Sequence, residues 1–320
     1  MTLLAAENLS VRYPAGRGMV RAVDGVNLDL RAGEIVALVG ESGCGKSTLA
    51  RALLGLQPVH RGRVTYEGER LPTSHRALRA FRRQAQLILQ DPTGALNPRH
   101  TVYEAVAEGL RIHRVPGDER ALVAEALSRA GLRPAERFLP VLPGELSGGQ
   151  RQRVVIAGAL ALNPRLLIAD EPVASLDASV RGEILALLLG LRDDLGLSAL
   201  VVTHDLGLAW NIADRVAVMY LGRIVEIGPA VDVLTAPRHP YTRALLSVSA
   251  GTGERVVLTG EPPDAARIPA GCRFRPRCPA FAAGLPDPVA DRCRTVDLPV
   301  LAEVGVACHA VAAEEPASNV

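Results

Sequence analysis

The residues best suited to chemistry in this chain form one run, Gly40-Glu41-Ser42-Gly43-Cys44-Gly45-Lys46-Ser47-Thr48. Its spacing is that of a G-x-x-x-x-G-K-[ST] phosphate loop. Gly40, Gly43 and Gly45 let successive backbone N–H groups turn inward around an anion, and a helix starting there adds its positive dipole end. Lys46 suits the β- and γ-phosphates of a nucleotide, and the Ser47 hydroxyl suits Mg²⁺. The plain alternative is a glycine turn with a surface lysine. Composition argues against it: of the 36 Lys and Arg residues, Lys46 alone is a lysine. Wherever a generic cation serves, the chain uses arginine; here it keeps a compact ammonium on a flexible stem.

Further candidates lie downstream. Arg165-Leu166-Leu167-Ile168-Ala169-Asp170-Glu171 is an apolar run ending in two carboxylates. Such a run predicts a strand buried on both faces, as in a parallel sheet, whose catalytic groups sit at strand C-terminal ends. There Asp170 suits Mg²⁺ and Glu171 suits orienting and deprotonating a water. His204 follows another apolar run, Ser198 to Thr203, and so occupies the same kind of position. It suits the γ-phosphate or the attacking water, against the bland reading of a structural histidine. Leu146-Ser147-Gly148-Gly149-Gln150 opens a long apolar helix with two glycines just inside it, each costing roughly 1 kcal/mol relative to alanine. That violation makes sense if a phosphate approaches the backbone there. Ser147 is also a good N-cap, and Ala174-Ser175-Leu176-Asp177 caps the following helix. Tyr13, in a chain with 3% aromatics, either caps a small sheet or stacks on a nucleotide base.

The elements that must position these groups are legible as periodicities. Residues 3–13 and 22–30 read as an antiparallel pair, 35–39 as a buried strand, and 62–68 as a short strand with a turn. A basic helix is expected around His75 to Arg83, then a strand over 85–89. Residues 91–100 carry Asp-Pro and Asn-Pro turn signals and predict an exposed connection. From about 101 to 162 only helical signals occur, a helical insertion into an α/β domain. Strands at 214–220 and 223–227 and two short helices over 230–249 follow.

Length suggests about two domains, and 48% hydrophobic residues suffice for their cores. A net charge of +2 without basic blocks gives no pointer to nucleic acid. No apolar run approaches the ~18 residues of a membrane span. The first residues lack the features of a signal peptide, so the expected compartment is the cytosol, with thiols reduced or metal-bound. Four of the five cysteines, Cys272, Cys278, Cys293 and Cys308, lie in the Pro-rich, loop-like stretch 254–320. Their spacing does not match zinc pairs of the C-x₂₋₄-C type, whereas four thiolates and Cys278-Pro279 suit a [4Fe–4S] cluster. Arg273, Arg275, Arg277, Arg292 and Arg294 would offset its charge. Zinc or no metal at all are the alternatives. Cys44 reads as a small spacer.

Taken in order, Tyr13, Gly40–Thr48, Gln90, Leu146–Gln150, Leu166–Glu171, Ser175–Asp177 and His204 resemble the A-loop, Walker A, Q-loop, signature, Walker B, D-loop and H-loop of an ABC transporter ATPase. The resemblance covers about residues 3–250. Gln90-Asp91-Pro92, Leu96-Asn97-Pro98-Arg99, Arg151-Gln152-Arg153 and His239-Pro240-Tyr241-Thr242 narrow it to the dipeptide/oligopeptide importer branch, and the cysteine-bearing tail resembles that branch's C-terminal extension. Glu41 to Thr48 looks more like the second of its two paired ATPase subunits.

The resemblance implies an α/β, ABC-type P-loop ATPase: a RecA-like mixed or parallel sheet, an antiparallel β subdomain and a helical subdomain over about 101–162. An ATP-binding domain would span 1–250 and the extension 251–320. It implies ATP sandwiched between two such subunits, in a heterodimer. Tyr13 would stack on adenine; Ser42, Gly43, Cys44, Gly45, Lys46, Ser47 and Thr48 would bind phosphates; Ser47, Gln90 and Asp170 would serve Mg²⁺. Glu171 would polarise the water and His204 hold the γ-phosphate. Ser147, Gly148, Gly149 and Gln150 would serve the partner's ATP, with Asp177 in the D-loop. Segment 91–100 would receive two transmembrane permease subunits, themselves fed by an extracytoplasmic binding protein, at the cytoplasmic membrane face. Gly144 before Glu145-Leu146 and the order Ala174-Ser175 depart from the family pattern without removing a ligand.

Two other readings compete. A non-transport ATPase of the same superfamily would usually carry a coiled coil or two fused cassettes, which this sequence lacks. A redox- or metal-sensing regulator would use the cysteine region as sensor; a large change in ATPase activity when the cluster is oxidised or removed supports sensing, and none supports a structural role. The transported solute, whether dipeptide, oligopeptide, nickel chelate or glutathione, is not written in these residues.

Overall fold

The computed structural model describes residues 1–16, 18–174, 176–249, 256–301 and 304–314. In chain order, β1 (Thr2–Ala15) and β2 (Gly18–Arg31) precede β3 (Ile35–Val39) and the phosphate-loop helix α1 (Lys46–Leu53). Then come β4 (Arg61–Tyr66), β5 (Glu69–Arg70), α2 (His75–Gln84), β6 (Ala85–Ile88) and α3 (Pro92–Ala95). The helical stretch holds α4 (Val102–His113), α5 (Glu119–Arg129) and α6 (Gly148–Leu160), followed by β7 (Leu166–Asp170), α7 (Ala178–Leu195) and β8 (Ser198–Thr203). Next are α8 (Leu206–Ile212), β9 (Arg215–Tyr220), β10 (Arg223–Pro229), α9 (Ala230–Thr235) and α10 (Pro240–Ser249). The tail adds α11 (Pro279–Ala282), α12 (Asp287–Thr295), β11 (Gly305–Val306) and α13 (His309–Glu314).

The chain divides into two compact units. One comprises residues 1–30, 36–70 and 203–320. In it, β1 runs antiparallel to β4 with Leu4 opposite Tyr66, within the sheet order β2-β1-β4-β5. β3 lies parallel to β9 with Val36 opposite Arg215, and β10 and then β11 add antiparallel strands beyond it. All five residues of β3 are buried, as a strand covered on both faces requires. Its core draws Tyr220, Tyr241, Val216 and Val218 together with tail residues Cys272, Phe274, Cys293 and Leu298. The tail thus shares one core with the phosphate-loop strand.

The other unit comprises residues 31–35 and 71–202. β6, β7 and β8 form a parallel ladder with Ala85 opposite Leu166 and Leu166 opposite Ser198. Every residue of β7 and β8 is buried. Helices α4, α5 and α6 pack against one another. α4 starts on a complete capping box, with Glu104 N–H donating to the Thr101 hydroxyl and Thr101 N–H donating back to the Glu104 carboxylate.

One expectation holds and one needs revision. Segment 91–100 is mostly exposed, as expected, and within it Asp91 accepts from Thr93 N–H and starts the short helix α3. The tail is not loop-like throughout: among its described residues are three α-helices and a 3-10 turn at Arg275–Arg277, and it contributes β11 to a sheet edge, with Glu226 opposite Val306. Proline frequency misleads here because Pro279 and Pro288 sit in the first turns of α11 and α12, where no N–H is needed.

Candidate functional site

In the first unit, the loop between β3 and α1 wraps around the Lys46 side chain. Lys46 is 5% exposed, and its Nζ donates to the carbonyls of Gly40 at 2.8 Å and Glu41 at 2.9 Å. Gly45 caps the helix with φ 110°, and a Cβ there would stand 2.0 Å from the Ala22 carbonyl oxygen. No side chain fits that position. Cys44 is buried, and burial pushes its thiol pKa up despite nearby Lys46. Its carbonyl accepts from Gly222 N–H at 2.8 Å, so it is a structural spacer in the loop. Ser42 and Gly43 stay exposed while Ser47 and Thr48 are half-buried. Tyr13, half-buried on β1, places its hydroxyl 3.5 Å from the Thr48 hydroxyl, which brings its ring beside the first turn of α1.

His204, just past β8, belongs to the same unit. It shares a cavity of about 360 Å³ with Gly40 and Glu41, walled by Leu206, Leu245, Val248 and Val257. Phosphate loop and histidine therefore face one space.

In the second unit, Asp170 closes β7 and is buried. Glu171 follows with φ 50°, a left-handed conformation that a non-glycine residue adopts at a cost. Its N–H is held by the Val202 carbonyl at 2.9 Å. Strain of this kind clusters at sites where a side chain must be aimed. Gln90 is exposed two residues past β6. Ser147 caps α6 in a reciprocal box: Gln150 N–H donates to its hydroxyl at 3.2 Å, and Ser147 N–H donates to the Gln150 side-chain oxygen at 2.9 Å. Ser147 and Gly148 are exposed at this helix tip, with Gly149 and Gln150 half-buried behind them. The two glycines differ in kind. A Cβ on Gly149 would stand 2.5 Å from Val180, so packing on α7 already demands a glycine there, whereas Gly148 has room. Asp177 is the N-cap residue of α7 without a side-chain capping bond, and Ser175 lies outside the described residues.

The arrangement of the tail cysteines lends the cluster expectation no support. Among the described residues no group of three or more His, Cys, Asp or Glu side chains is arranged to hold a metal ion. Cys272, Cys293 and Cys308 are buried and Cys278 half-buried, all with free thiols, and Cys272 and Cys293 pack in the apolar core. Burial pushes the Cys272 thiol up to about 12, with Cys293 and Cys278 adding to it. The flanking arginines are largely spent elsewhere. Arg273, 0% exposed, donates to the Leu221 carbonyl at 2.6 Å, to Asp24 at 3.0 Å and to Asp297 at 3.3 Å. Arg277 forks onto the Glu41 carboxylate at 2.8 and 3.0 Å, and Arg294 pairs with Asp291. Arg275 and Arg292 do act on the Cys293 thiol.

Two side chains packed at or behind the loop, Tyr241 and Phe274, escape sequence reasoning. Tyr241, within His239-Pro240-Tyr241-Thr242, is buried and its hydroxyl accepts the Glu41 N–H at 2.9 Å. Phe274 sits against Tyr220, Tyr241 and His239, with ring centroids 5.1, 5.4 and 5.6 Å away. The motif carried family resemblance but gave no sign of a partner 200 residues earlier.

Residues 23–174 match the ABC transporter family, and residues 225–283 match the oligopeptide/dipeptide transporter C-terminal region. YkfD of Bacillus subtilis, named for oligopeptide transport ATP binding, is 44% identical over 87% of this chain and 88% of its own length. The glutathione import ATP-binding protein GsiA of Escherichia coli is 46% identical over 82% of this chain and 44% of its own length. Among solved structures, the ATP-binding cassette MJ0796, a dimer bound to ADP and Pi, superposes with a TM-score of 0.65 at 31% identity, covering 71% of this chain and 99% of its own. With a buried lysine in a glycine loop, a strained acid after a buried strand and relatives along nearly its whole length, the chain belongs to the family of ABC transporter ATP-binding proteins.

Proposed function

We propose that this chain is the ATP-hydrolysing subunit of a membrane importer for di- or oligopeptides or a related small solute. One observation carries the reading: the loop cradling Lys46 belongs to a chain 44% identical, over 94% of its length, to a Brucella abortus protein named for peptide import ATP binding. Residues 1–250 serve as the ATP-binding domain and 251–320 as its extension. Gly43 to Thr48 bind the phosphates of Mg²⁺-ATP, and Tyr13 stacks on the base. Ser47, Gln90 and Asp170 serve the metal, which neutralises charge on the transferring phosphate. Glu171 holds and deprotonates the water, and His204 contacts the γ-phosphate. The exposed tip Ser147–Gln150 serves the nucleotide of a second ATPase subunit, with Asp177 nearby on the same chain; the dimer of MJ0796 supports that arrangement.

Two permease subunits complete the importer, and we place them against segment 91–100 at the cytoplasmic face; among the described residues no helix is long and apolar enough to cross a membrane. The test is purification from membranes followed by uptake of labelled peptides into vesicles. Co-purifying permease subunits and ATP-dependent peptide uptake are expected. A chain that purifies without membrane subunits and hydrolyses ATP at full rate alone contradicts the importer reading. We also retain as a proposal that the four tail cysteines hold a [4Fe–4S] cluster. Four sulfur donors whose thiols influence one another support it, while the absence of a ready ligand group among the described residues weighs against it. Anaerobic purification with iron and sulfide assays decides, and an iron-free preparation removes the cluster.

A further inference from the structure

All three polar groups of Glu41, the second residue of the phosphate loop, are engaged. Its N–H donates to the Tyr241 hydroxyl at 2.9 Å, its carbonyl accepts from Lys46 Nζ at 2.9 Å, and its carboxylate takes both terminal nitrogens of Arg277 at 2.8 and 3.0 Å. Tyr241 belongs to α10; Arg277 belongs to the turn that ends at Cys278. Neither was among the expected ATP-site residues.

We propose that Arg277 and Tyr241 are positioning residues for the phosphate loop, fixing Glu41 so that its carbonyl presents the Lys46 ammonium to ATP. The proposal rests on reading Gly40–Thr48 as the ATP phosphate site. Three observations favour it over a contact that merely pins the tail. First, the pair is built rather than incidental: Arg277 is buried, forks onto the carboxylate, and stands 6.0 Å above the Tyr220 ring centre. A fully exposed ion pair would contribute little, whereas this bidentate one, with a buried guanidinium and a half-buried carboxylate, fixes geometry. Second, the supports are themselves immobilised. Tyr241 is locked by Tyr220 at 4.7 Å and Phe274 at 5.4 Å, and its N–H donates to His239 Nδ1 at 3.0 Å. Third, the chain of contacts ends on Lys46, the group assigned to the phosphates. A loop held in its binding shape loses less conformational freedom when ATP arrives, so the gain appears as affinity.

The full chain is tested in its assembled transporter, with ATP affinity read by titration of a fluorescent ATP analogue and turnover read at saturating ATP. Arg277→Gln and Glu41→Gln are each expected to weaken ATP binding about tenfold, the value of one charged hydrogen bond. Turnover at saturation should fall far less, because saturating ATP returns the loosened loop of each variant to its binding shape. The double variant should bind no more weakly than either single one, since both remove the same contact, and Arg277→Lys should recover part of the loss. Unchanged affinity in both single variants overturns the proposal. So does a double variant whose loss is the product of the two. Should Arg277→Gln fail to fold, Glu41→Gln and Tyr241→Phe carry the same reading from the other side of the contact, and wild-type affinity in both overturns it. Lys46→Ala separates the two levels: if it leaves ATP affinity intact, the phosphate-site reading fails first and this proposal falls with it.

Discussion

Gly45 shows how one residue constrains the proposed ATP site. Its φ of 110° and the 2.0 Å between an added Cβ and the Ala22 carbonyl leave no room for relaxation, because the obstacle is backbone. Gly45→Ala is therefore expected to abolish binding of a labelled ATP analogue while the helical stretch 101–162 keeps its circular dichroism. Intact binding would mean that the loop tolerates another path. Lys46→Ala leaves the turn but removes the charge, and should weaken nucleotide binding roughly ten- to a hundredfold, as loss of a charged hydrogen bond implies. Lys46 and Gly45 were legible in the sequence because a phosphate loop is contiguous and its chemistry is local. Arg277 was misread for the opposite reason. In sequence it flanks a cysteine and looks like a counter-charge for a cluster, yet its carboxylate partner stands 236 residues away.

Elements were legible where a single periodicity decides them. β3, β7 and β8 read as doubly covered strands and all their residues are buried. α4 was expected from helical periodicity, and the structure adds what the periodicity did not show, the reciprocal capping bonds of Thr101 and Glu104. Thr101→Ala should cost about 1 kcal/mol in chemical unfolding, the usual value of an N-cap, with ATP affinity unchanged. A loss of ATP affinity instead would mean that α4 is coupled to the site. The glycines of α6 were only half legible. Their helix-breaking character suggested an approaching phosphate, but Gly149 faces Val180 at a distance that excludes a side chain, and packing alone accounts for it. Strand β11 was invisible because two residues carry no alternation to read.

At the scale of the whole molecule, the tail is built into the core that backs the phosphate loop. Arg273 bonds Asp24 and the Leu221 carbonyl, and burial, which raises the Asp24 carboxyl, is outweighed by Arg273 together with Arg223 and Arg21, leaving its pKa below the ordinary range. His239 is enclosed in the same core, and burial depresses its pKa from 6.5 to about 3. The unfolded chain thus binds a proton below pH 6.5 that the folded chain refuses until about pH 3, so this histidine weakens the fold as pH falls through that window. Relative to His239→Gln, wild-type stability should fall more steeply on acidification, by up to about 1.4 kcal/mol per pH unit. Parallel pH profiles would contradict the buried, neutral histidine. In the proposed function, one loop binds ATP and one strained acid, Glu171, hydrolyses it. The most direct measurement compares Glu171→Gln with wild type in the assembled transporter, following ATP binding and phosphate release together. Wild-type affinity with turnover abolished is the predicted result; phosphate release near the wild-type rate would contradict it.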